Sequence, residues 1–300
     1  MWCDPLTFGK ARRECYHSGV NAAAPIDGYQ DIHQNMRYWM TMLAEAQRHR
    51  LSALLPPRSE LVVYDIGAND GELTVPLAAN PVVADSLPVR VVAFEPQPAV
   101  RARLMARAAE AGLSVALWGT ADLTAIPVAL GDRDTMIDLR VYSDDTFSSF
   151  YERPSEELSR YELAETEVVQ VRMRPLDDMV AGGLVPPPDL VKVDVEGAER
   201  AVLAGAVRTL STSHPPVLME FSCPNTRNAG YSRGELLDQL AAMGYDTVVG
   251  LFRNEDRSLY GSESFDDCRI WNIIAIDSAT YPRLAETVAS HRAPWNKETA

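Results

Sequence analysis

Residues 61–71 read LVVYDIGANDG, and this stretch decides the fold. Its first six residues are largely apolar, which is typical of a strand that is buried on both faces. Gly67 and Gly71 then supply a turn of small residues, and a helical pattern follows. In an open α/β sheet, ligands bind beyond the carboxyl ends of the strands. The stretch therefore predicts a β-loop-α unit with a ligand site at its turn.

The same alternation of buried strands and helices continues along most of the chain. Helices are predicted over 98–111 and 232–243, and further strands over 89–94, 126–130, 190–195, 217–221, 247–252 and 270–276. Strands that alternate with helices form a mainly parallel sheet with helices on both of its faces. The predicted fold class is therefore a Rossmann-like, doubly wound α/β fold.

An N-terminal region lies outside this alternation. Residues 26–55 carry apolar side chains at helical spacing until Pro56 and Pro57 stop the pattern, which predicts a helical cap. We therefore divide the chain into a cap, residues 1–58, and one larger domain, residues 59–300.

A second region interrupts the alternation in the middle of the chain. Residues 137–141 and 169–173 alternate apolar with polar side chains, which favours antiparallel ribbons exposed on one side. Between them, residues 143–167 are acidic and contain several aromatic residues. This segment is either a lid over a site or a solvated surface excursion, because loops are polar for many reasons.

The composition excludes several classes of protein. Of 300 residues, 46% are hydrophobic and 23% are charged, which is ordinary globular usage and argues against disorder. The formal net charge of −14 would repel a polyanion, so we expect no nucleic acid partner. No apolar run reaches the roughly 18 residues of a membrane span, so we expect a cytoplasmic protein with no membrane contact. The four cysteines form no C-x-x-C pair, which predicts unpaired thiols rather than a zinc site or disulfides.

Two acidic residues point to the ligand class. Asp65 precedes the glycines of the first turn, whose G-x-x-x-G spacing differs from the G-x-G-x-x-G that binds a dinucleotide pyrophosphate. A carboxylate there would repel phosphate but would suit the cationic sulfonium of S-adenosylmethionine. Glu95 ends the second strand, where a carboxylate accepts hydrogen bonds from both ribose hydroxyls. Alternatively, each residue is a negative charge placed at a helix N-terminus.

Further charged residues follow the fourth and fifth predicted strands. Lys192, Asp194 and Glu196 are two residues apart, so on extended backbone they point to one side and converge on the crevice. Glu220 ends the next strand and is expected beside them. Two structural alternatives stay open: a buried ion pair between Lys192 and Asp194, and a helix cap made by Glu196. The three carboxylates could hold a divalent cation, but we favour a site without metal.

The order of these motifs resembles the FkbM family of methyltransferases. The strings that carry the resemblance are DIGANDG (65–71), FEP (94–96), VALGD (128–132), PLDD (175–178) and VKVDVEGAE (191–199). Pro175 stands where the family pattern has Thr. The resemblance implies a class I methyltransferase with a seven-stranded sheet, one strand of which is antiparallel near its edge. It implies S-adenosylmethionine as the cofactor, and O-methylation of sugars and polyketide-type natural products, with some N-methylation.

The resemblance also implies roles for individual residues. Asp65, Gly67, Asn69 and Gly71 would border the methionine end of the cofactor. Glu95, followed by Pro96, would bind the ribose, and Asp132 would lie near the adenine. A hairpin connector is an equal alternative for the turn that contains Asp132. From their place after the fourth and fifth strands, and not from the resemblance, Asp194 and Glu196 are the best candidates for the reacting end, together with Lys192 and Glu220.

We therefore expect an S-adenosylmethionine-dependent methyltransferase that acts on a hydroxyl of a small-molecule acceptor. N-methylation of a small molecule or peptide is the alternative within this class. An NAD-dependent oxidoreductase shares the fold and Glu95, but the missing third glycine counts against it. A non-catalytic binding protein with the same fold is the other rival. The sequence leaves open whether the protein is a homo-oligomer.

Overall fold

The computed structural model describes residues 32–52, 59–79, 87–252 and 258–293. The strands are β1 (Leu61–Ile66), β2 (Val89–Phe94), β3 (Val115–Ala116), β4 (Leu123–Ile126), β5 (Ala129–Leu130), β6 (Thr135–Tyr142), β7 (Glu165–Arg174), β8 (Leu190–Val193), β9 (Val217–Glu220), β10 (Thr247–Phe252), β11 (Leu259–Tyr260) and β12 (Ile270–Ile276). The helices are α1 (Ile32–Ser52), α2 (Thr74–Ala78), α3 (Pro98–Glu110), α4 (Ser155–Arg160), α5 (Leu176–Ala181), α6 (Glu199–Ala204), α7 (Val207–Ser213), α8 (Cys223–Asn228), α9 (Arg233–Ala242) and α10 (Pro282–Ser290).

Nine of these strands form one sheet in the order β11-β10-β12-β9-β8-β1-β2-β4-β3. β1 pairs in parallel with β2 and β8, and β8 pairs in parallel with β9. β12 runs antiparallel between β9 and β10. The predicted α/β class with a mostly parallel sheet is confirmed. Two-residue strands, β3 and β11, extend the expected seven strands at the two edges of the sheet.

Strand β1 lies at the centre of the sheet because both of its faces are apolar. Leu61 and Val63 belong to a core shared with α1, α2, α3 and α10. Val62, Tyr64 and Ile66 belong to a second core on the opposite face, shared with α5, α6, α7 and α9. Since successive strand residues point to opposite faces, an unbroken apolar run requires a covering layer on each side. The result is the doubly wound arrangement of helices.

Helix α1 confirms the helical pattern that the sequence predicts before Pro56. Its side chains Trp39, Met40 and Leu43 are fully buried in the core that covers one face of the sheet. The buried Gln47 also donates a hydrogen bond to the hydroxyl of Tyr281, which lies just before α10. The rest of the predicted cap, residues 1–31 and 53–58, lies outside the described residues. The proposed division between residues 58 and 59 stays a prediction.

The strand predicted over residues 126–130 is wrong in its extent. β4 ends at Ile126 in the main sheet, and β5 begins at Ala129 in a separate three-stranded sheet of order β5-β7-β6. Pro127 lies at the break, and proline has no N–H to donate to a strand ladder. The predicted antiparallel ribbon is confirmed, because β6 pairs antiparallel with β7. Leu139 and Val171 of this ribbon are buried in a small apolar cluster.

The expectation of unpaired thiols is wrong for two cysteines. Cys223 and Cys268 form a disulfide across 45 residues of chain. The sheet explains the meeting: Glu220 of β9 pairs antiparallel with Asn272 of β12, so the residues after β9 lie beside the residues before β12. Cys3 and Cys15 lie outside the described residues. Within the described ranges, no helix has both the length and the apolar character that a membrane crossing demands.

We predict that this disulfide contributes to stability. Replacing both cysteines, Cys223→Ser with Cys268→Ser, should lower the free energy of unfolding by about 2–4 kcal/mol, because the open chain gains conformational freedom when unfolded. Urea unfolding measures the loss. A reductant should bring the native protein to the same value and leave the double variant unchanged. Equal unfolding free energies for the oxidised protein and the double variant would contradict the prediction.

Candidate functional site

The carboxyl ends of the parallel strands open into a cleft with two lobes. The two lobes contain about 630 and 510 Å³ of empty space, counted together with the solvent into which they open. The first lobe follows β2 and is lined by Phe94, Glu95, Pro96 and Gln97, with residues of β5, β6 and the loop after β6. The second follows β1 and reaches α1 at Met36. Both lobes share Gly67, Asn69, Thr146, Asp194 and Glu196.

Glu95 lies in the wall of the first lobe and is nearly buried. Its Oε1 accepts a hydrogen bond from the N–H of Gln97 at 2.9 Å, and its Oε2 accepts one from the N–H of Asn69 at 3.0 Å. Burial raises the pKa of Glu95 to about 7, although these two N–H groups act in the opposite direction. Each carboxylate oxygen has a second lone pair, so the group can also accept hydrogen bonds from a ligand.

Asp65 is fully buried at the end of β1 and is not among the described residues that line either lobe. Its Oδ1 lies 2.9 Å from Nζ of Lys192 on β8, and its Oδ2 accepts a hydrogen bond from Thr74. Lys192 also donates to the carbonyl of Gly67 at 2.6 Å and lies 3.6 Å from Asp194. Burial alone would lower the pKa of Lys192, but Asp65 and Asp194 outweigh it and raise this pKa.

This geometry corrects the expected pairing. The close buried partner of Lys192 is Asp65, and Asp194 is a looser second partner. Asp65 therefore meets a protein cation, and its predicted place at the border of the ligand is not seen in the lining of the cleft. The pair instead joins the ends of β1 and β8 directly beneath the first turn.

The glycines of the first turn are explained by packing. A Cβ on Gly67, whose φ is +78°, would lie 1.8 Å from the carbonyl oxygen of Asp194. A Cβ on Gly71 would lie 2.3 Å from the side chain of Leu104 on α3. We predicted that both glycines open the backbone to a ligand. The structure shows that the protein's own chain fills that space, although Gly67 still lines both lobes.

Asn69 is the turn residue that faces the cleft. Its φ of +47° is a left-handed conformation that Asn adopts more readily than most residues. In this conformation its N–H points at Glu95, and its own side chain accepts the N–H of Asp70. The turn thus brings the ends of β1 and β2 together around one carboxylate.

Asp194, Glu196 and Glu220 come together as predicted, with one oxygen of each within 4.8 Å of the others. Asp194 and Glu196 line both lobes, whereas Glu220 is buried and, within the described part of the chain, absent from their lining. Asn225 on α8 bridges the cluster, because its Nδ2 lies 3.0 Å from Glu196 and 3.0 Å from Glu220. Burial and the neighbouring carboxylates raise the pKa of Glu220 well above its usual value.

Three contacts around this cluster escaped the sequence analysis. Glu196 does not cap α6, which has no side-chain cap; the carboxylate of Glu199 instead accepts the N–H groups of Val195 and Gly197 in the loop before this helix. Glu196 has a left-handed φ of +53° and instead meets Arg153, whose Nη2 lies 2.7 Å from Oε2. Arg153 comes from residues 143–164, which join β6 to β7 and which we call the insertion. Its signal in the sequence is weak, because it is one of two arginines in a long acidic stretch, the other being Arg160.

The insertion also forms one wall of the first lobe. Thr146, Ser148, Ser149 and Phe150 line it, so these residues cover the cleft as the lid interpretation predicts. Asp132, in contrast, is exposed, lies 3.6 Å from the neighbouring Arg133, and is not among the described residues of the lining. Its turn is no hairpin connector either, because β5 and β6 each pair with β7. The adenine role of Asp132 stays a prediction without support from this geometry.

The methyltransferase FkbM domain matches residues 65–247 of the chain. A curated relative, the 2-O-methyltransferase NoeI of Sinorhizobium fredii (strain NBRC 101917 / NGR234), is 28% identical over 171 residues. The match spans 54% of this chain and 64% of NoeI, so just under two thirds of that relative is covered.

Two solved structures are also similar. A methyltransferase FkbM from Methylobacillus flagellatus KT is 17% identical with a TM-score of 0.41, over 72% of this chain and 44% of that one. An O-methyltransferase from Bacillus cereus in complex with SAH is 10% identical with a TM-score of 0.42, over 92% and 91% of the two chains.

We predict that Gly67 is required for folding. The substitution Gly67→Ala places a methyl group against Asp194, so it should cost about 1–3 kcal/mol for overpacking beyond the roughly 1–2 kcal/mol of a left-handed alanine. Gly183→Ala is the matched control, because Gly183 has a φ of +67° with no atom within 4 Å of a Cβ. Urea unfolding compares the two variants. Equal losses of stability would show that the contact with Asp194 does not matter.

Proposed function

Because the chain belongs to the FkbM family of methyltransferases, we propose that it transfers a methyl group from S-adenosylmethionine to a hydroxyl of a small molecule. The observation that carries this proposal is the pair of carboxylates in the cleft, Glu95 after β2 and Asp194 after β8. Family membership favours this activity over an NAD-dependent oxidoreductase and over a binding protein without catalysis.

The lining of the cleft fits such a cofactor. The first lobe combines apolar side chains, among them Val100, Leu130 and Leu139, with the carboxylate of Glu95. Apolar walls suit a purine, and a carboxylate accepts hydrogen bonds from two ribose hydroxyls. We place the adenosine part here and the methionine part in the second lobe, between residues 67–70 and Asp194. S-adenosylmethionine supplies the methyl group on a cationic sulfonium, which carboxylates nearby stabilise.

Asp194 is our candidate for the residue that orients the acceptor. It lines both lobes, and its side chain is 29% exposed. Methyl transfer is an in-line displacement, so much of the rate comes from alignment of the nucleophile. A hydroxyl that donates its hydrogen bond to Asp194 would be held in place, and its proton would pass to the carboxylate as the new bond forms.

The proposed acceptor is a hydroxyl rather than an amine. The relative NoeI is named a 2-O-methyltransferase, which supports this choice. The physical argument is that clustered carboxylates favour the protonated, cationic form of an amine, and that form has no lone pair for attack. A neutral hydroxyl keeps its lone pairs while it donates to a carboxylate. N-methylation remains the alternative that an acceptor screen distinguishes.

We predict pH-dependent binding of S-adenosylhomocysteine, the demethylated cofactor. Glu95, with a pKa of about 7, is mostly protonated at pH 6 and ionised at pH 8, where it accepts ribose hydrogen bonds more strongly. Affinity in titration calorimetry should therefore rise up to about tenfold between these pH values. Glu95→Gln should bind roughly tenfold or more weakly at pH 8 and lose the pH dependence.

Glu110→Gln, at the exposed end of α3, is the control and should behave as the native protein does. Folded native protein that releases no heat at either pH would refute the proposed cofactor. Binding that is equal at pH 6 and pH 8 would instead refute the role of Glu95 alone.

We predict a catalytic role for Asp194. Transfer of a labelled methyl group from S-adenosylmethionine should be measured against a panel of sugars, polyketide-type alcohols and amines. On the best alcohol, Asp194→Asn should lower kcat by about 10²–10⁴, because the amide cannot take the proton. Asp138→Asn, on the exposed side of β6, is the matched control. Label found only on amines would contradict the hydroxyl acceptor.

A further inference from the structure

Arg153 is a buried cation of the insertion whose side chain reaches the carboxylates behind the cleft. Only 4% of the residue is exposed. Its Nη2 lies 2.7 Å from Glu196, and Nη1 pairs with Glu157 and lies 3.5 Å from Asn225. Burial would lower its pKa, but Glu196 and Glu157 outweigh burial and raise it, so the guanidinium stays charged. The side chain therefore brings one permanent positive charge to the cluster.

Other groups of the insertion also contact this guanidinium and limit its motion. Nε of Arg153 donates to the carbonyl of Phe147 at 3.0 Å, and the guanidinium carbon lies 5.0 Å from the centre of the Phe147 ring. The ring of Tyr142 is 5.9 Å away. A planar guanidinium between aromatic rings and carboxylates has little freedom to turn. The insertion thus fixes where the positive charge lies.

Glu196 is held by the insertion at two points. Its carboxylate meets Arg153, and its backbone carbonyl accepts a hydrogen bond from the hydroxyl of Ser149 at 2.8 Å. Its left-handed φ of +53° costs free energy that surrounding contacts must offset. Both the side chain and the backbone of Glu196 are therefore in contact with the insertion.

Arg153 brings a positive charge to the cluster through one of its members, Glu196. Asp194, Glu196 and Glu220 each place an oxygen within 4.8 Å of the others, a spacing at which carboxylates repel one another or hold a divalent cation. Lys192 lies 2.9 Å from Asp65 and 3.6 Å from Asp194, so its charge is shared between a residue outside the cluster and one member of it. Asn225 is neutral. The guanidinium of Arg153 is a cation in direct contact with a member of the cluster, Glu196.

We propose that Arg153 is a positioning residue: its guanidinium is the built-in counter-cation of the Asp194, Glu196 and Glu220 cluster and fixes Glu196 beside the reacting end. This proposal rests on the proposed function in one respect, because the proposed function is what identifies the reacting end. It predicts that the cluster takes up a divalent cation when the guanidinium is removed, and not before.

The experiment titrates Mn²⁺ into EDTA-treated protein and follows free Mn²⁺ by electron paramagnetic resonance. Native protein should bind Mn²⁺ no better than Glu196→Gln does. Arg153→Gln, which keeps a hydrogen-bond donor without the charge, and Arg153→Met should bind one Mn²⁺ at least tenfold more tightly. Arg153→Lys restores a cation and should behave as native. Arg160→Met, on the exposed end of α4, is the matched control and should also behave as native.

Two results would overturn the proposal. The first is stoichiometric Mn²⁺ binding by the native protein that Glu196→Gln abolishes, because a metal would then be the counter-ion. The second is folded Arg153→Gln or Arg153→Met protein with no gain of Mn²⁺ binding. Calorimetry with S-adenosylhomocysteine on the same samples tests the proposed cofactor separately from the role of Arg153. If the native protein does not bind S-adenosylhomocysteine, the proposed cofactor is refuted, while the Mn²⁺ titration still decides the role of Arg153.

Discussion

The buried ion pair between Asp65 and Lys192 is the interaction on which the site depends. It joins the carboxyl ends of β1 and β8, and the same ammonium group holds the carbonyl of Gly67 at 2.6 Å. The turn after β1 and the loop after β8 are thereby pressed together, so closely that residue 67 has no room for a side chain. Replacing either partner alone would leave a buried charge without compensation, which typically costs several kcal/mol. The pair is therefore a constraint on every residue that lines the cleft.

Several carboxylates lie at this edge of the sheet, and they differ in the groups that contact them. Asp65 is matched by an ammonium, Glu196 by a guanidinium, and Glu95 and Glu199 by backbone N–H groups. Glu220 accepts hydrogen bonds from the amide of Asn225, and its burial together with the neighbouring carboxylates raises its pKa. Asp194 lines the cleft, and it lies farther from the ammonium group of Lys192 than Asp65 does. We chose Asp194 for the proposed role because of these differences in binding partners and not because of the number of acidic residues.

The sequence predicted the strands well where local chemistry decides them. Apolar runs bounded by turn residues gave the limits of β1, β2, β10 and β12 to the residue, and Ser232 forms the expected N-cap of α9. The failures involve partners distant in the chain. Cys223 with Cys268 and Arg153 with Glu196 are 45 and 43 residues apart, and no local period records which strands become neighbours. The packing of Gly67 against Asp194 and of Gly71 against Leu104 could not be predicted for the same reason, because a glycine pattern does not reveal which part of the chain lies beside it.

Two residues that line the cleft have a backbone conformation that is unfavourable for most residues. Asn69 and Glu196 both have left-handed backbone conformations, with φ of +47° and +53°. For Asn the conformation costs little, but a glutamate there persists only when its surroundings determine it. Those surroundings are Arg153 and Ser149 of the insertion and Asn225 of α8, which the disulfide at Cys223 ties to the loop before β12. The first turn is held by two residues of the neighbouring strands, because the carboxylate of Glu95 accepts the N–H of Asn69 and the ammonium of Lys192 donates to the carbonyl of Gly67. The loop that carries Glu196 depends instead on two segments from elsewhere in the chain, so sequence changes in those segments can alter the position of Glu196, and changes in the insertion also alter the wall of the first lobe.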